Sequence, residues 1–324
     1  MSTDVREGGH WTPAQATKNA LLYAGVRIAL AAIGWVPKRT VRALGRALGA
    51  LVYAVHPGLR RLAHANVRRV MPHRDAAQVR ALARAAYANL GGHLGDAVAS
   101  LRQGAQDARD LRGGSLPFPE SERARLAQAQ REGRGVLFIS AHLGPWERVA
   151  ATLVEHGFAL TTVARESYDP RLTALYDRLR GAKGVRSIYR GAPGAAFRML
   201  RTLRSGGLLG MPMDLRSRVP SIAVPFLGTP AATPVGPARM ACRTGAAVIV
   251  GTAAPTADYP NHAPNHESDT MALTITRIAI DDLASHAHDE SGERCLTERI
   301  NAELSRRILA LPEQWVWMHP RWDE

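Results

Sequence analysis

Residues 136–150 read VLFISAHLGPWERVA, and the reading of this stretch decides the fold. An apolar run ends in Ser140, Ala141 and His142, and Gly144-Pro145 then opens an amphipathic pattern. Pro145 suits the first position of a helix, where its missing N–H costs nothing, and Glu147 then falls at the third. The stretch therefore predicts a buried strand running into a helix, with His142 at the strand's carboxyl end. Open α/β sheets usually concentrate their function at that edge.

Outward from this point the same texture repeats. From about residue 122 short apolar runs alternate with helical patterns. Strands are expected at 135–140, 158–164, 185–189, 208–213, 221–226, 246–252 and 271–279. Helices are expected at 145–156, 169–181, 194–204 and 235–243, and a closing helix near 293–311. Such alternation predicts an α/β fold, a mixed and largely parallel sheet flanked by helices.

Upstream, residues 15–104 read as helices throughout, because apolar positions recur at three and four residues. Pro57-Gly58, Pro72 and Gly91-Gly92 punctuate them, and a polar linker with Gly113, Gly114, Pro117 and Pro119 follows. The expected organisation is a polar segment at 1–18, a helical membrane-associated region at 19–110 and a catalytic α/β region at 111–324. Within the helical region, ALLYAGVRIALAAIGWV at 20–36 is just long enough to span a bilayer, but Arg27 sits near its middle. It predicts a single pass, a hairpin or a helix lying in the interface, with ordinary buried helices as the alternative.

Composition narrows the partners. Of 42 Lys and Arg residues only Lys18, Lys38 and Lys183 are lysines, and the formal charge is +14. Guanidinium groups bind phosphate bidentately, so the partner is expected to be anionic. Nucleic acid is disfavoured: the arginines are spread along the chain, aromatics are 6% of residues, and no recognition motif appears. Two cysteines, Cys242 and Cys295, provide no disulfide framework, and residues 1–18 do not read as a cleavable signal.

The spacing of His142 and Glu147 constrains their chemistry. In one regular helix, residues five apart point about 140° away from each other. The two can meet only because Gly144-Pro145 breaks the regularity. A carboxylate beside the imidazole would fix its tautomer and stabilise the imidazolium formed on proton abstraction. By itself the H-x4-E pattern fits equally a strand-end histidine followed by a Glu that favours the helix dipole.

Further segments add weight to the catalytic reading. SAHLGPWE at 140–147 resembles the H-x4-D/E block of the lysophospholipid and glycolipid acyltransferases. More narrowly it resembles the SAHxGNWE form of the lipid A lauroyl/myristoyl acyltransferase family, with Pro145 in place of the usual Asn. Residues 211–249, MPMDLRSRVPSIAVPFLGTPAATPVGPARMACRTGAAVI, are similar to that family's third block. PEQWVWMHPRW at 312–322 resembles its closing segment, and LRRLAHANVRRVMP at 59–72 an N-terminal passage. The resemblance runs from about residue 20 to 324.

The resemblance implies acyl transfer from a thioester, carried by acyl carrier protein or coenzyme A, to a hydroxyl of a phosphorylated glycolipid. It also implies the cytoplasmic face of the inner membrane, and most narrowly a late acylation of lipid A. Another glycolipid acceptor, such as a phosphatidylinositol mannoside, keeps the chemistry. A different class is a basic protein that binds lipid or nucleic acid without catalysis. His142 would be the general base, taking the proton of the acceptor hydroxyl. A thioester is already activated, so neither cofactor nor metal is expected.

Other residues have candidate roles. Asp214 closes the apolar run LLGMPM and competes with Glu147 to orient His142, the latter narrowly favoured; pairing with Arg216 or Arg218 is its plainer use. The resemblance implies that Arg165, after ALTTVA, neutralises acceptor phosphate, with one surface arginine among many as its plainer use; Arg190 after VRSIY and Arg178 are weaker candidates. Gly228 and Thr229 form a turn whose amides could approach phosphate or an oxyanion. Trp315, Trp317 and Trp322 are expected to pack a core, with a seat at the lipid interface as the alternative. His262, His266, His286 and His288 lie in polar loops and are not expected to bind metal.

Overall fold

The run at 136–140 carries side chains that no water-facing surface would hold, and in the computed structural model it is β1 (Val136–Ser140), with its first four residues buried. The structure describes residues 9–33, 36–99, 115–255, 271–280, 282 and 289–322. Strands β2 (Leu160–Ala164), β3 (Arg186–Tyr189) and β4 (Leu208–Pro212) run parallel to β1, as β7 (Ala247–Pro255) does on its other side. An antiparallel edge strand, β8 (Met271–Ile278), completes a six-stranded sheet in the order β3-β2-β4-β1-β7-β8. The mixed, largely parallel α/β sheet expected from the sequence is the fold.

The remaining expected strand at 221–226 is not in that sheet. It is β5 (Ser221–Phe226), paired in a hairpin with β6 (Thr229–Pro234). TPAATP, the sequence of β6, carries prolines at both ends of its apolar positions and was not expected as a strand. Proline is tolerated here because both strands of a two-stranded ribbon are edges. Leu227 and Gly228 turn the chain with φ of 51° and 79°, the positive pair that a two-residue hairpin demands.

Helices α5 (Glu120–Arg131) and α6 (Trp146–Glu155) cover one face, where Leu126, Val149 and Leu153 pack with Val136 and Phe138. Helices α8 (Ala195–Arg204), α9 (Gly236–Thr244) and α10 (Glu290–Ala310) cover the other, where Leu203, Ala238 and Leu304 pack with Leu137 and Ile139. Helix α7 (Pro170–Gly181) connects β2 to β3. The chain thus leaves β1 toward one face, through α6, and leaves neighbouring β4 toward the other, through α9. Departures to opposite faces open a crevice above the carboxyl ends of the two strands.

The N-terminal region is helical, as its periodicity predicts: α1 (Pro13–Ile33), α2 (Lys38–Val55), α3 (Pro57–Val70) and α4 (Ala76–Ala99). Helix α1 begins inside the segment expected to be a polar tail, because Pro13 occupies its first position and Thr12 bonds Gln15. The expected boundary near 110–111 lies outside the described residues. Among the described residues no helix is long and apolar enough to cross a membrane, so the single-pass alternative for 20–36 is not supported.

Helices α2 and α4 meet backbone to backbone. A Cβ at Gly45 would lie 2.2 Å from the carbonyl oxygen of Gly91, and one at Gly49 would lie 2.1 Å from that of Tyr87. Only glycine permits this approach. Polar groups then close across the joint: Arg42 pairs with Asp96, and Arg46 donates to Asn89 Oδ1 at 2.5 Å. The N-terminal helices are pinned in turn to the segment after α10. Asn89 donates to the Glu313 carbonyl at 3.0 Å, and Asn66 to those of Trp317 and His319 at 2.9 Å.

Candidate active site

Four adjacent parallel strands end in polar side chains: Arg190 after β3, Arg165 after β2, Asp214 after β4 and His142 after β1. Neighbouring strands lie about 4.8 Å apart, so Arg165 is rooted about 10 Å from His142 and Arg190 about 14 Å. The extended guanidinium side chains can therefore reach toward a ligand seated over the crevice.

His142 and Asp214 are joined twice. The backbone N–H of His142 donates to Asp214 Oδ2 at 2.8 Å, and its Nδ1 lies 2.9 Å from Oδ1. Asp214 is fully buried, while 26% of the His142 side chain is exposed. A carboxylate without water must be satisfied by the protein. The third donor is the indole of Trp315, whose Nε1–H reaches Oδ2 at 2.9 Å. Burial pushes the Asp214 carboxyl up, but His142 and these donors outweigh it and hold its pKa below the ordinary carboxylate value. Burial likewise disfavours charge on His142. Asp214 overrides it, Glu147 assists and Arg180 opposes, and the net pKa lies above that of a free histidine.

The narrow preference for Glu147 as the partner of His142 is corrected by this geometry. Pro145 caps α6 rather than opening it, so Trp146 is the first helical residue and Glu147 the second. From there the Glu147 carboxylate accepts from Arg180 Nη2 on α7 at 2.8 Å. Trp146 sets its ring edge-on to His142, with centroids 5.3 Å apart. Arg180 was not singled out in the sequence, where Arg178 was; Arg178 is exposed in the last turn of α7.

Arg190 donates its backbone N–H to the Ala164 carbonyl at 2.8 Å, and its guanidinium donates to the Ser217 hydroxyl. Burial and the positive charge of Arg165 together lower its pKa, so the two cationic groups lie close enough to repel each other. An anion there would relieve both. Gly228 and Thr229 are differently placed. The Phe226–Thr229 pairing closes the hairpin and commits the Thr229 amide to it, while Leu227 N–H ties the turn to Ser305 of α10 at 2.8 Å. Neither residue hydrogen-bonds His142 or Asp214 among the described contacts.

The closing tryptophans pack as expected: Trp315, Trp317 and Trp322 are 1%, 0% and 5% exposed. Their further part at His142 escaped the sequence reading. Leu143 and Trp315 form an isolated antiparallel bridge, and Gly144 N–H donates to the Gln314 carbonyl at 3.0 Å. Among the described residues no cluster of His, Cys, Asp and Glu is arranged to hold a metal. His262, His266, His286 and His288 lie outside the described residues.

Fold and site define an α/β protein whose chemistry-bearing side chains stand at the switch point of a largely parallel sheet. The sequence model for the bacterial lipid A biosynthesis acyltransferases matches residues 12–324, nearly the whole chain. The chain belongs to that family and is an acyltransferase. A search of the curated proteins finds no significant match.

Proposed function

We propose that this acyltransferase moves a fatty acyl chain from an acyl thioester to a hydroxyl of a phosphorylated lipid A precursor, with His142 as general base. The observation that carries the proposal is the His142 Nδ1–Asp214 Oδ1 contact of 2.9 Å above the crevice. With Nδ1 committed to Asp214, Nε2 is the nitrogen that meets the acceptor hydroxyl. It takes the hydroxyl proton as the oxygen attacks the thioester carbonyl. The new C–O bond forms, the C–S bond breaks, and the departing thiolate recovers the proton from the imidazolium. Asp214 stabilises that imidazolium throughout. Arg165 and Arg190 neutralise phosphate on the acceptor.

The donor in this reading is acyl carrier protein or coenzyme A, and the seat is the cytoplasmic face of the inner membrane. Attachment is peripheral. It is supported by exposed apolar residues on the N-terminal helices, Leu21, Leu22 and Ile28 on α1 and Leu44, Leu48, Leu51 and Val55 on α2. An anionic leaflet suits a chain of formal charge +14.

The test pairs a variant with a product. His142→Ala should lower turnover by roughly 10²–10⁴-fold without unfolding the protein. Mass spectrometry of lipid A from cells carrying wild type, the variant or neither should show one acyl chain gained only with wild type. An unaltered lipid A alongside a newly acylated second glycolipid would move the acceptor. Activity of the variant within threefold of wild type would remove His142 as the base.

A further inference from the structure

The polar groups around His142 do not end at Asp214. The carboxylate presents Oδ1 to the ring, while Oδ2 accepts from both the His142 backbone at 2.8 Å and the Trp315 indole at 2.9 Å. Without the indole, Oδ2 would rest only on the loop that also carries His142. With it, the carboxylate is bonded to an independent body.

That body is well braced. Trp315 is 1% exposed, and its ring meets Trp317 edge-on at 4.8 Å, Phe226 at 5.8 Å and Trp322 at 6.2 Å. The residue before it, Gln314, accepts from the catalytic loop through Gly144 and is held by the buried His93 of α4, Nε2 to Oε1 at 2.7 Å. One short segment therefore grips the His142 loop with its backbone and the Asp214 carboxylate with its side chain.

We propose that Trp315 is a positioning residue of the acyl-transfer site, whose indole N–H fixes the Asp214 carboxylate in the orientation that aligns His142. The inference rests on His142 acting as the base. Trp315 cannot touch substrate, since it is buried. It acts through Asp214 alone, and that separates its effect from a binding effect. A hydrogen bond to a buried carboxylate also withdraws charge from it. Removing the donor should make Asp214 the stronger partner of His142, so the ring holds its proton to higher pH. The other charged groups bearing on His142 and Asp214 are Glu147 on α6, Arg180 on α7, and His319 and Arg321 of the closing segment, and all stay in place.

The test replaces one atom. Benzothienylalanine incorporated at position 315 keeps the bicyclic shape and substitutes sulfur for the indole N–H. We expect kcat to fall about tenfold with KM unchanged, and the acid limb of the pH–rate profile to move to higher pH. 5-Fluorotryptophan, which keeps the N–H, should restore both. Trp315→Phe gives the same comparison with ordinary residues, and its melting temperature reports whether the packing survives. If the benzothienyl protein keeps wild-type kcat and an unmoved acid limb, the indole N–H has no positioning role. A loss of activity with an unmoved limb, accompanied by a lowered melting temperature, makes Trp315 a packing residue and overturns the proposal as well. An active His142→Ala protein would fail the underlying mechanism instead, so the two failures are distinguishable.

Discussion

Two carboxylates near His142 do different things, and the difference is measurable. Asp214 is buried and bonded to the ring, whereas Glu147 is part-exposed and bonded to Arg180. Asp214→Asn removes the charge that raises the His142 pKa but leaves the ring's burial. The ring pKa should then fall below the ordinary histidine value of about 6.5, and the acid limb of kcat/KM should move to lower pH. The amide can also present its NH₂ to Nδ1 and enforce the wrong tautomer, so kcat should drop by about 10²–10⁴-fold. Glu147→Gln keeps a polar acceptor for Arg180 and should cost less than tenfold, with a small shift of the limb in the same direction. A severe Glu147→Gln and a mild Asp214→Asn would reverse the assignment. The sequence located both residues, because each follows an apolar run or opens a helix. It did not reveal their partners: positions 142 and 214 meet only because β4 inserts beside β1, a choice of strand order that no local pattern encodes. Arg180 was missed for the same reason, since its contact with Glu147 joins α7 to α6 across the sheet edge.

At the scale of elements, the glycines of α2 and α4 make a joint that resists substitution. Gly45→Ala drives a methyl group to 2.2 Å from a backbone oxygen, and no side-chain rotation can relieve it. The helices must part, with a loss of about 1–3 kcal/mol in stability. Gly25→Ala on α1 meets nothing within 4 Å and should be neutral or stabilising by up to about 1 kcal/mol. Thermal melts of the two variants decide the matter; equal melting temperatures would mean that α2 and α4 are not locked. Helix α4 as a helix was legible from its apolar repeat, but Gly91-Gly92 read as punctuation rather than as a contact face. A glycine inside a helix announces a break in sequence and a close neighbour only in three dimensions. The hairpin strand β6 was invisible for a related reason, since proline argues against a strand unless it is known to be an edge.

For the molecule as a whole, the proposed membrane seat rests on which faces lack cover. Leu44, Leu48, Leu51 and Val55 recur at helical spacing and are 55–66% exposed. Leu48→Asp with Leu51→Asp should reduce flotation of the protein with anionic vesicles severalfold, while high salt alone should release only part of the wild type. Equal flotation of variant and wild type would move the seat elsewhere. The apolar block on α2 was legible in the sequence beside residues 20–36, but which of its leucines stay uncovered depends on the packing of α2 against α4.

The glycine joint has one more consequence, and it concerns height. Helix α2 turns leucines to one side and bare backbone to the other, so a single helix thickness, about 10 Å, separates those leucines from α4. Helix α4 holds Gln314, and Gln314 holds the loop of His142. Were the bilayer on the leucine side, as proposed, the imidazole would ride at a set elevation above the lipid, and a hydroxyl would be selected by how far its sugar lifts it from the surface. The enzyme would work as a gauge block, its spacing machined into the glycines of α2 and α4.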